Sequence, residues 1–454
     1  MLFLNCLAAA AAAMDKVTVL EDENTFTLDN GIISAYISKR SGDIISLTYK
    51  QTEMLDTGDR AGIGGYWSHD TMRGERTTRV TIDPNGNRGE RGEVSINGVA
   101  NGRAMGSGPG GSVVADIEIR YALDRGDSGL YTYSVFSHPT NYPATSVGEA
   151  RFCAKLNDKI FDWMTVDSNR NMQVITAYDW DHGTVMNMKE ARYMNSGAYK
   201  GEVEHKYDYS ANQFNTLAWG WSSSAKNVGF WFINPTTEYL SGGPTKVELS
   251  AHRDATFGHD LQAPAPPCLL NYWRGSHYGG SICSVAQGEA WTKVIGPFLI
   301  YCNSAKDHNA MWQDALKRSS LESKAWPYDW VRGVDFPHRN ERGNVSGRLV
   351  LYDPQSSHLQ LDHLLVGLSA PAYTWTPGSP RFRGRGTNRP VEPPIDSDET
   401  QPTNDVARSS ESGQSGGQGR SRGGFGGFNF GPRTVDWQND AKYYEFWARG
   451  DAKG

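Results

Sequence analysis

Short apolar runs separated by turn-forming residues constrain this chain to a β-rich fold. Residues 115–121 place apolar side chains at every second position and charged side chains between them, which is the pattern of a half-buried strand. Asn30-Gly31 is a hairpin signal, and a Gly-containing turn at 127–129 precedes another apolar run. Many short strands with few helical patterns predict an all-β chain built on a large antiparallel β-sandwich. Further strand-like runs are 44–49, 130–136, 230–233, 246–249 and 294–301.

One helix is predicted over residues 307–325, where Asp307 can cap the first turn and Pro327 prevents continuation. This helix would close a first domain spanning residues 15–330. A second domain, 331–454, is interrupted by residues 377–432, which are rich in Gly, Arg, Pro and Ser and are predicted to be a disordered insertion. Residues 1–14 are apolar and Ala-rich, so they are either a signal peptide or a mis-assigned start before Met14.

Composition narrows the possible partners. The 454 residues carry a net charge of −6, so any polyanionic partner must be met by a local cationic pocket. Fourteen Trp and 21 Tyr suit either sugar stacking or the packing of large sheets. The five cysteines form no CxxC pair, which argues against a zinc ribbon; Cys268 and Cys283 could close a short loop, but spacing does not establish the pairing.

Motifs for common enzyme classes are absent, including the Walker loop, the GxSxG elbow and HExxH. Two segments, 199–209 and 270–281, instead concentrate cations, aromatics and glycines, which is typical of loops that approach a ligand closely. The acidic turn Asp179–His182 is either solvated or a site for a structural calcium ion.

Several ordered motifs resemble the rhamnogalacturonan lyases of polysaccharide lyase family 4. The resemblance covers roughly residues 25–376 and 433–454. It implies a galactose-mutarotase-like β-sandwich followed by a fibronectin-like domain, here incomplete, with the family's third, carbohydrate-binding-like domain absent. The motifs are Gly148–Phe152, His205–Tyr209, Tyr239–Pro244, Asn271–His277, Trp326–Tyr328 and Asp436–Asp440.

The resemblance also implies site residues. Lys206 matches the family's catalytic lysine, His277 its catalytic histidine, and Arg151 a substrate-binding arginine. The implied reaction is β-elimination at a galacturonate of rhamnogalacturonan I, which leaves a 4,5-unsaturated end. Arg151 would hold the uronate carboxylate, a neutral Lys206 would take the C5 proton, and His277 would protonate the departing O4. Burial near Arg151 would lower the pKa of Lys206.

Further substrate contacts are predicted near these residues, and each aromatic among them is alternatively a core residue. Trp273 is expected to belong to the core. A strand through 205–206 would direct His205 away from Lys206. The predicted contacts are Tyr207, Tyr209, Tyr272, Arg274 and Tyr278, with Tyr66, Trp67 and His69 forming a possible additional subsite.

Three other functions remain open. A glycoside hydrolase would need two carboxylates flanking the bond, and acidic residues are plentiful. A non-catalytic sugar-binding module could use the same sandwich. The glycine-rich run 422–428 resembles part of an RNA-binding tail, although overall acidity argues against nucleic acid as a partner. The favoured expectation is a secreted, monomeric enzyme acting on pectin, with no membrane partner and no cofactor required for catalysis.

Overall fold

The computed structural model describes two compact units, residues 1–349 and 350–454. The residues described are 15–57, 64–69, 75–100, 113–187, 190–240, 247–253, 267–275, 283–348, 365–366 and 445–446. The first unit therefore continues past the domain boundary at 330 suggested by the sequence. Its described residues form two nine-stranded, largely antiparallel sheets and two α-helices.

The strand and helix bounds follow chain order. The β-strands of the first unit are β1 Thr18–Glu21, β2 Thr25–Asp29, β3 Ile33–Ser38, β4 Ile44–Tyr49, β5 Thr52–Glu53, β6 Gly65–Ser68, β7 Arg76–Ile82, β8 Arg91–Gly98, β9 Asp116–Asp124, β10 Gly129–His138, β11 Thr145–Val147, β12 Ala150–Lys155, β13 Trp163–Thr165, β14 Asn171–Gln173, β15 Thr184–Val185, β16 Ala191–Tyr193, β17 Val203–His205, β18 Ser210–Asn212, β19 Ala218–Ser222, β20 Val228–Ile233, β21 Val247–Leu249, β22 Ala251–Arg253, β23 Pro267–Arg274, β24 Cys283–Val285 and β25 Trp291–Ser304. The α-helices are α1 Ala177–Asp181 and α2 His308–Ala325, and 3-10 turns lie at Pro84–Asn87, Lys206–Tyr209 and Arg339–Glu341.

The first sheet has the order β1-β2-β3-β4-β6-β12-β23-β22, with β5 added beside β4. Its first strands alternate as the sequence predicts, because Phe26 and Leu28 of β2 are buried while the residues between them are not. The predicted hairpin turn is confirmed, since Gly31 adopts a φ of 77° between β2 and β3.

The second sheet has the order β14-β13-β19-β20-β25-β10-β9-β8-β7. Its central strands are buried on both faces, so β10 shows nine buried positions among ten rather than alternation. One face lies on the first sheet and the other is covered by α2 and the segment that follows it. The interior between the sheets is aromatic: Phe152 packs edge-on against Trp67, Phe232 and Phe298, with ring centroids 5.4–5.6 Å apart.

The predicted helix is confirmed within one residue. The side chain of Asp307 accepts a hydrogen bond from the Ala310 amide at 2.7 Å, and α2 ends at Ala325, shortly before Pro327. Its inner face and the segment after it form a second apolar cluster on the outside of the second sheet. Val331 and Phe336 belong to this cluster, so the chain beyond 330 packs on the first unit.

The second unit is described only at two short strands, β26 Leu365–Val366 and β27 Glu445–Phe446, which pair in parallel. The predicted disordered insertion 377–432, the apolar start 1–14 and the glycine-rich run 422–428 lie outside the described residues. Among the residues described, no helix is long and apolar enough to cross a bilayer.

A buried carboxylate joins α2 to the second sheet. Glu322, 4% exposed, accepts hydrogen bonds from the hydroxyl of Tyr131 at 3.1 Å, from Tyr328, and from Nε of Arg318 at 2.6 Å. The same arginine pairs with Asp127 in the β9–β10 turn. This network ties the helix to a hairpin far away in the sequence.

We expect Glu322→Ala to lower the free energy of unfolding by about 3 kcal/mol, because it leaves a partly buried guanidinium and two phenols without their acceptor. Lys324→Ala, at an exposed position on the same helix, is the matched control and should change stability by less than about 0.5 kcal/mol. Urea unfolding of both variants measures the difference. Equal stabilities would show that the helix is held by apolar packing alone.

Candidate active site

The candidate site lies on the outer face of the first sheet, at β12 and β23. Alternation sends Phe152 and Trp273 into the sandwich, where Trp273 packs against Phe136 with ring centroids 5.3 Å apart. The expectation that Trp273 belongs to the core is therefore confirmed. The residues between these aromatics face outward. On β12 they are Arg151, Cys153 and Lys155, and on β23 they are Cys268, Leu270, Tyr272 and Arg274.

Register brings these outward residues into rows across the sheet. Arg151 lies opposite Tyr272, and the guanidinium carbon is 5.1 Å from the centre of that ring. Lys155 lies opposite Cys268, which lies opposite His252 on β22. Directly paired positions share a face, so a lysine, a thiol and an imidazole are neighbours in one row.

Lys206 reaches this face from a separate segment. The strand β17 ends at His205, and Lys206 begins a 3-10 turn, so the condition under which alternation would direct His205 away from Lys206 is not met. The turn is fixed to the sheet edge, because the Ser250 amide donates to the Tyr209 carbonyl at 3.2 Å. His205 is instead positioned beside Asp208, with Nδ1 and the carboxylate oxygen 3.4 Å apart.

The charges of this face act on one another. Burial lowers the pKa of Lys206; Cys268 and Glu190 oppose the shift, while the like charges of Arg151 and Lys155 add to it. Burial also lowers the pKa of His252, and the same three cations add to that shift. We call Arg151, Lys155 and Lys206 the cationic cluster. The expected lowering of the Lys206 pKa is confirmed in direction and cause.

Two thiols lie beneath the cationic cluster. Cys153 and Cys268 are free and buried, with their sulfur atoms 3.5 Å apart. Cys268 is therefore not paired with Cys283, contrary to one possibility left open by the sequence. Burial opposes ionisation of Cys153, but the hydrogen bond from Cys268 and the charges of Lys155 and Arg151 lower its pKa to about 5. Burial and the neighbouring Cys153 raise the pKa of Cys268, so the two thiols lose their protons in two separate steps that belong to the pair.

The Arg151 guanidinium has one paired nitrogen and one buried nitrogen without a partner among the described residues. Its guanidinium pairs with the carboxylate of Glu149, which also accepts a hydrogen bond from the Tyr272 hydroxyl at 3.3 Å. Its Nε is buried and has no hydrogen-bond partner among the described residues. A carboxylate oxygen from a ligand would satisfy this donor.

The other predicted contacts occupy different environments. Tyr207 lies beside Lys206, whose Nζ is 5.5 Å from the ring centre. Tyr209 is buried and its hydroxyl donates to Glu204 at 2.8 Å. Arg274 is also buried, and Nη1 donates to the Gly275 carbonyl at 2.6 Å. Their roles in substrate binding stay predictions.

The additional subsite proposed at residues 66–69 is divided between two faces. Trp67 and His69 are buried towards the interior, where Trp67 donates to Thr132 at 3.0 Å and burial lowers the pKa of His69 to about 3. The expectation that these two contact substrate is therefore wrong. Tyr66 faces outward beside Cys153, and burial raises its pKa well above the usual value.

His277 and Tyr278 lie outside the described residues, which stop at Gly275 on this stretch. Their predicted roles are untested.

Sequence reasoning missed Lys155 and His252. Lys155 could have been found, because a residue four positions after Arg151 on a strand shares its face. His252 lies on a strand pairing that only the fold defines.

The acidic turn at Asp179 is structural. Its carboxylate accepts hydrogen bonds from the Thr176 hydroxyl at 2.7 Å and the Ser196 hydroxyl at 2.6 Å. The Thr176 hydroxyl in turn accepts from the Asp179 amide at 3.0 Å, which caps α1. In the ranges that the structure describes, no group of three or more His, Cys, Asp or Glu side chains is arranged to hold a metal ion. A structural calcium ion elsewhere stays a prediction.

Comparison with known proteins points to one family. Residues 4–203 match the model of the rhamnogalacturonate lyase family, a stretch that contains Arg151 and Lys155 and ends shortly before Lys206. A probable rhamnogalacturonate lyase B of Aspergillus flavus is 21% identical over 375 residues, covering 76% of this chain and 52% of the fungal protein. The chain thus spans about half the length of that relative.

Solved structures give more distant matches. A TPR-domain containing protein from Parabacteroides distasonis matches with a TM-score of 0.35 at 13% identity, covering 63% of this chain and 48% of that one. A galactose mutarotase-like protein from Lactobacillus casei matches with a TM-score of 0.33 at 10% identity, covering 63% of this chain and all of that one.

The all-β sandwich is established by the sheets themselves. The resemblance predicted from the sequence is confirmed over residues 4–203, which are similar to the rhamnogalacturonate lyase family.

Proposed function

We propose that the protein is a secreted polysaccharide lyase that cleaves the rhamnose–galacturonate bond of rhamnogalacturonan I by β-elimination. The observation that carries the proposal is the cationic cluster, in which a lysine with a lowered pKa lies with Arg151 and Lys155 on one face of a sheet. The family match and the name of the fungal relative support a pectic substrate.

Removal of the C5 proton is the difficult step of this chemistry. The neighbouring carboxylate is already negative, and proton abstraction adds a second negative charge to it. Arg151 is suited to pair with that carboxylate because its buried Nε lacks a partner, while Lys155 lies on the same face to stabilise the developing charge. A fixed cation contributes most where charge appears in the transition state.

Lys206 is the proposed base. A lysine that is neutral in the free enzyme can accept a carbon-bound proton, and the lowered pKa increases the neutral fraction at a given pH. The C5 proton passes to Nζ, the C4–O4 bond breaks as the 4,5-double bond forms, and the departing O4 takes a proton. We assign that last step to His277, which follows β23 in the sequence. Tyr207 beside Lys206 would contact the sugar.

The ion pair between Arg151 and Glu149 must be accommodated by any substrate. A uronate carboxylate can engage the Nε edge while Glu149 keeps the opposite side of the guanidinium. The hydrogen bond from Tyr272 would then hold Glu149 in place. Contact with Glu149 on one side and with the uronate on the other orients the Arg151 guanidinium. Glu149 pairs with this one cation and does not neutralise the whole cationic cluster.

One observation favours a hydrolase as second candidate. Burial raises the pKa of Glu204 to about 7, with the Tyr209 hydroxyl opposing the shift, so this carboxyl could act as a general acid near neutral pH. A lyase product carries a conjugated double bond that absorbs ultraviolet light, and a hydrolase product does not. Incubation of the purified protein with rhamnogalacturonan and with homogalacturonan therefore separates the two. Chain shortening without absorbance would reject the lyase.

Replacement of the proposed base gives a direct test. We expect Lys206→Ala to lower kcat on rhamnogalacturonan by about 10²–10⁴-fold, the range for loss of a general base. The adjacent variant His205→Ala is the control and should lose less than about tenfold, since its ring pairs with Asp208 rather than the cluster. Comparable losses in both variants would contradict the assignment. If the wild type binds rhamnogalacturonan without turning it over, and both variants bind it equally well, the protein is a sugar-binding module.

The pH profile tests how the base is tuned. A neutral lysine is the active form, so kcat/KM should rise with pH until it levels off above the pKa of Lys206 in the free enzyme. In Lys155→Met a like charge is lost, the pKa of Lys206 rises, and the ascending limb should move to higher pH. An ascending limb that stays in place would show that Lys206 is not the group being titrated.

A further inference from the structure

The first unit has a second cleft, on the opposite side of the sandwich from the cationic cluster. It lies against the outer face of the second sheet, at the edge strands β7 and β8, where the segment after α2 crosses the sheet. Its volume is about 910 Å³, within the usual range for sites that bind small molecules. Five arginines and three carboxylates line it: Arg79, Arg91, Arg120, Arg125, Arg332, Glu90, Glu93 and Asp124.

The floor of the cleft is a buried ionic network. Arg120 and Glu93 are at most 2% exposed, and their Nη1 and Oε1 atoms are 3.3 Å apart. Nη1 of Arg120 also donates to the carbonyl of Arg332 at 2.9 Å, and the hydroxyl of Tyr133 donates to Glu93 at 2.7 Å. These bonds fix the crossing segment to the sheet, so the backbone that carries Arg332 is held in place.

The wall of the cleft is rigid for a different reason. Trp330 has the guanidinium of Arg91 over its ring at 4.3 Å and the ring of Tyr328 stacked at a centroid distance of 5.4 Å. These two contacts hold the indole in place, so Trp330 shapes the cleft. The charged groups of the rim are the polar contacts that a ligand would meet.

The rim carries cations with spare capacity. The side chain of Arg79 is 63% exposed and contacts Glu118 through one nitrogen at 3.1 Å. Arg332 is exposed, and in the part of the chain that the structure describes its side chain donates to the Asp329 carbonyl and pairs with no carboxylate. Arginines in this state can each bind a ligand carboxylate through two hydrogen bonds.

The mixture of charges indicates the kind of ligand. The carboxylates of the lining lie beside its arginines, so a ligand with closely packed negative charges, such as a polyphosphate, fits the cleft less well than a ligand with spaced charges. A uronate-bearing sugar chain has spaced carboxylates for the arginines and many hydroxyl groups that can donate to Glu90 and Asp124. The lining of the cleft has two more cations than anions, whereas the whole protein has a net charge of −6. The cleft is therefore locally cationic in an acidic protein.

We propose that this cleft is a second, non-catalytic binding site for uronate-bearing oligosaccharides, with Arg79 and Arg332 as its carboxylate contacts. The choice of a pectic polymer as the source of the ligand rests on the proposed function. The site would hold one stretch of the polymer while another stretch is processed on the opposite face. Its affinity should fall with rising salt, because the contacts are exposed ion pairs.

The test measures equilibrium binding of short rhamnogalacturonan oligosaccharides to the full chain by calorimetry. The background is Arg151→Ala with Lys206→Ala, which disables the first site and prevents turnover. Adding Arg79→Ala and Arg332→Ala should weaken the remaining binding by about tenfold or more, the effect of losing charge-assisted hydrogen bonds. The control pair Lys306→Ala and Lys317→Ala removes the same charge at exposed positions outside the cleft and should change affinity less than about twofold.

Two further ligands make the result decisive. A methyl-esterified oligosaccharide, which lacks the carboxylate charge, should bind more weakly than the free acid. A short single-stranded oligonucleotide should also bind more weakly. Equal affinity for either ligand, equal losses in the cleft and control variants, or no binding in the disabled background would overturn the proposal. The readout is binding and does not depend on turnover. If the protein forms no unsaturated product while the cleft variants still lose oligosaccharide affinity, only the proposed lyase activity is contradicted.

Discussion

Repulsion among partly buried cations is the constraint on which the candidate site depends. Arg151, Lys155 and Lys206 share a face that is partly shielded from water, so each charge costs more there than in solution. Glu149, Glu190 and Cys268 offset this cost, and the cations stay close together. Lysine can relieve the repulsion by losing its proton, whereas arginine does not. Burial and the neighbouring cations thus favour the neutral form of Lys206.

The sandwich makes this cluster possible because each strand serves two environments. On β12 and β23, one set of side chains fills the aromatic interior and the alternate set forms the floor of the site. A shift of one residue in the pairing would exchange the two sets, placing arginine in the core and phenylalanine on the surface. The large interior aromatics therefore do more than stabilise the sheets. They fix the register that holds the cations in one row.

Much of the architecture was predictable from local patterns. Glycine turns, alternating runs and the capped helix at 308–325 follow from rules that act over a few residues. The sites of Lys206 and Arg151 were assigned by resemblance, and alternation could have added Lys155. Local rules did not reveal the 3-10 turn at Lys206, nor His252 and the neighbouring thiols, because these depend on which strands become neighbours. Trp67 and His69 were misread because a glycine-flanked aromatic run does not show which face points inward.

The offset between the two thiols has a chemical consequence. Cys153 lies directly opposite Leu270, and Cys268 lies opposite Lys155, so the two cysteines are diagonal neighbours on adjacent strands. Diagonal positions stand about 7–8 Å apart, whereas a relaxed disulfide needs Cα atoms closer than about 7 Å. Oxidation would therefore require the two strands to slide or pucker beneath the guanidinium and the amines. The offset therefore disfavours a disulfide between these thiols, and both sulfur atoms stay available to interact with the neighbouring cations.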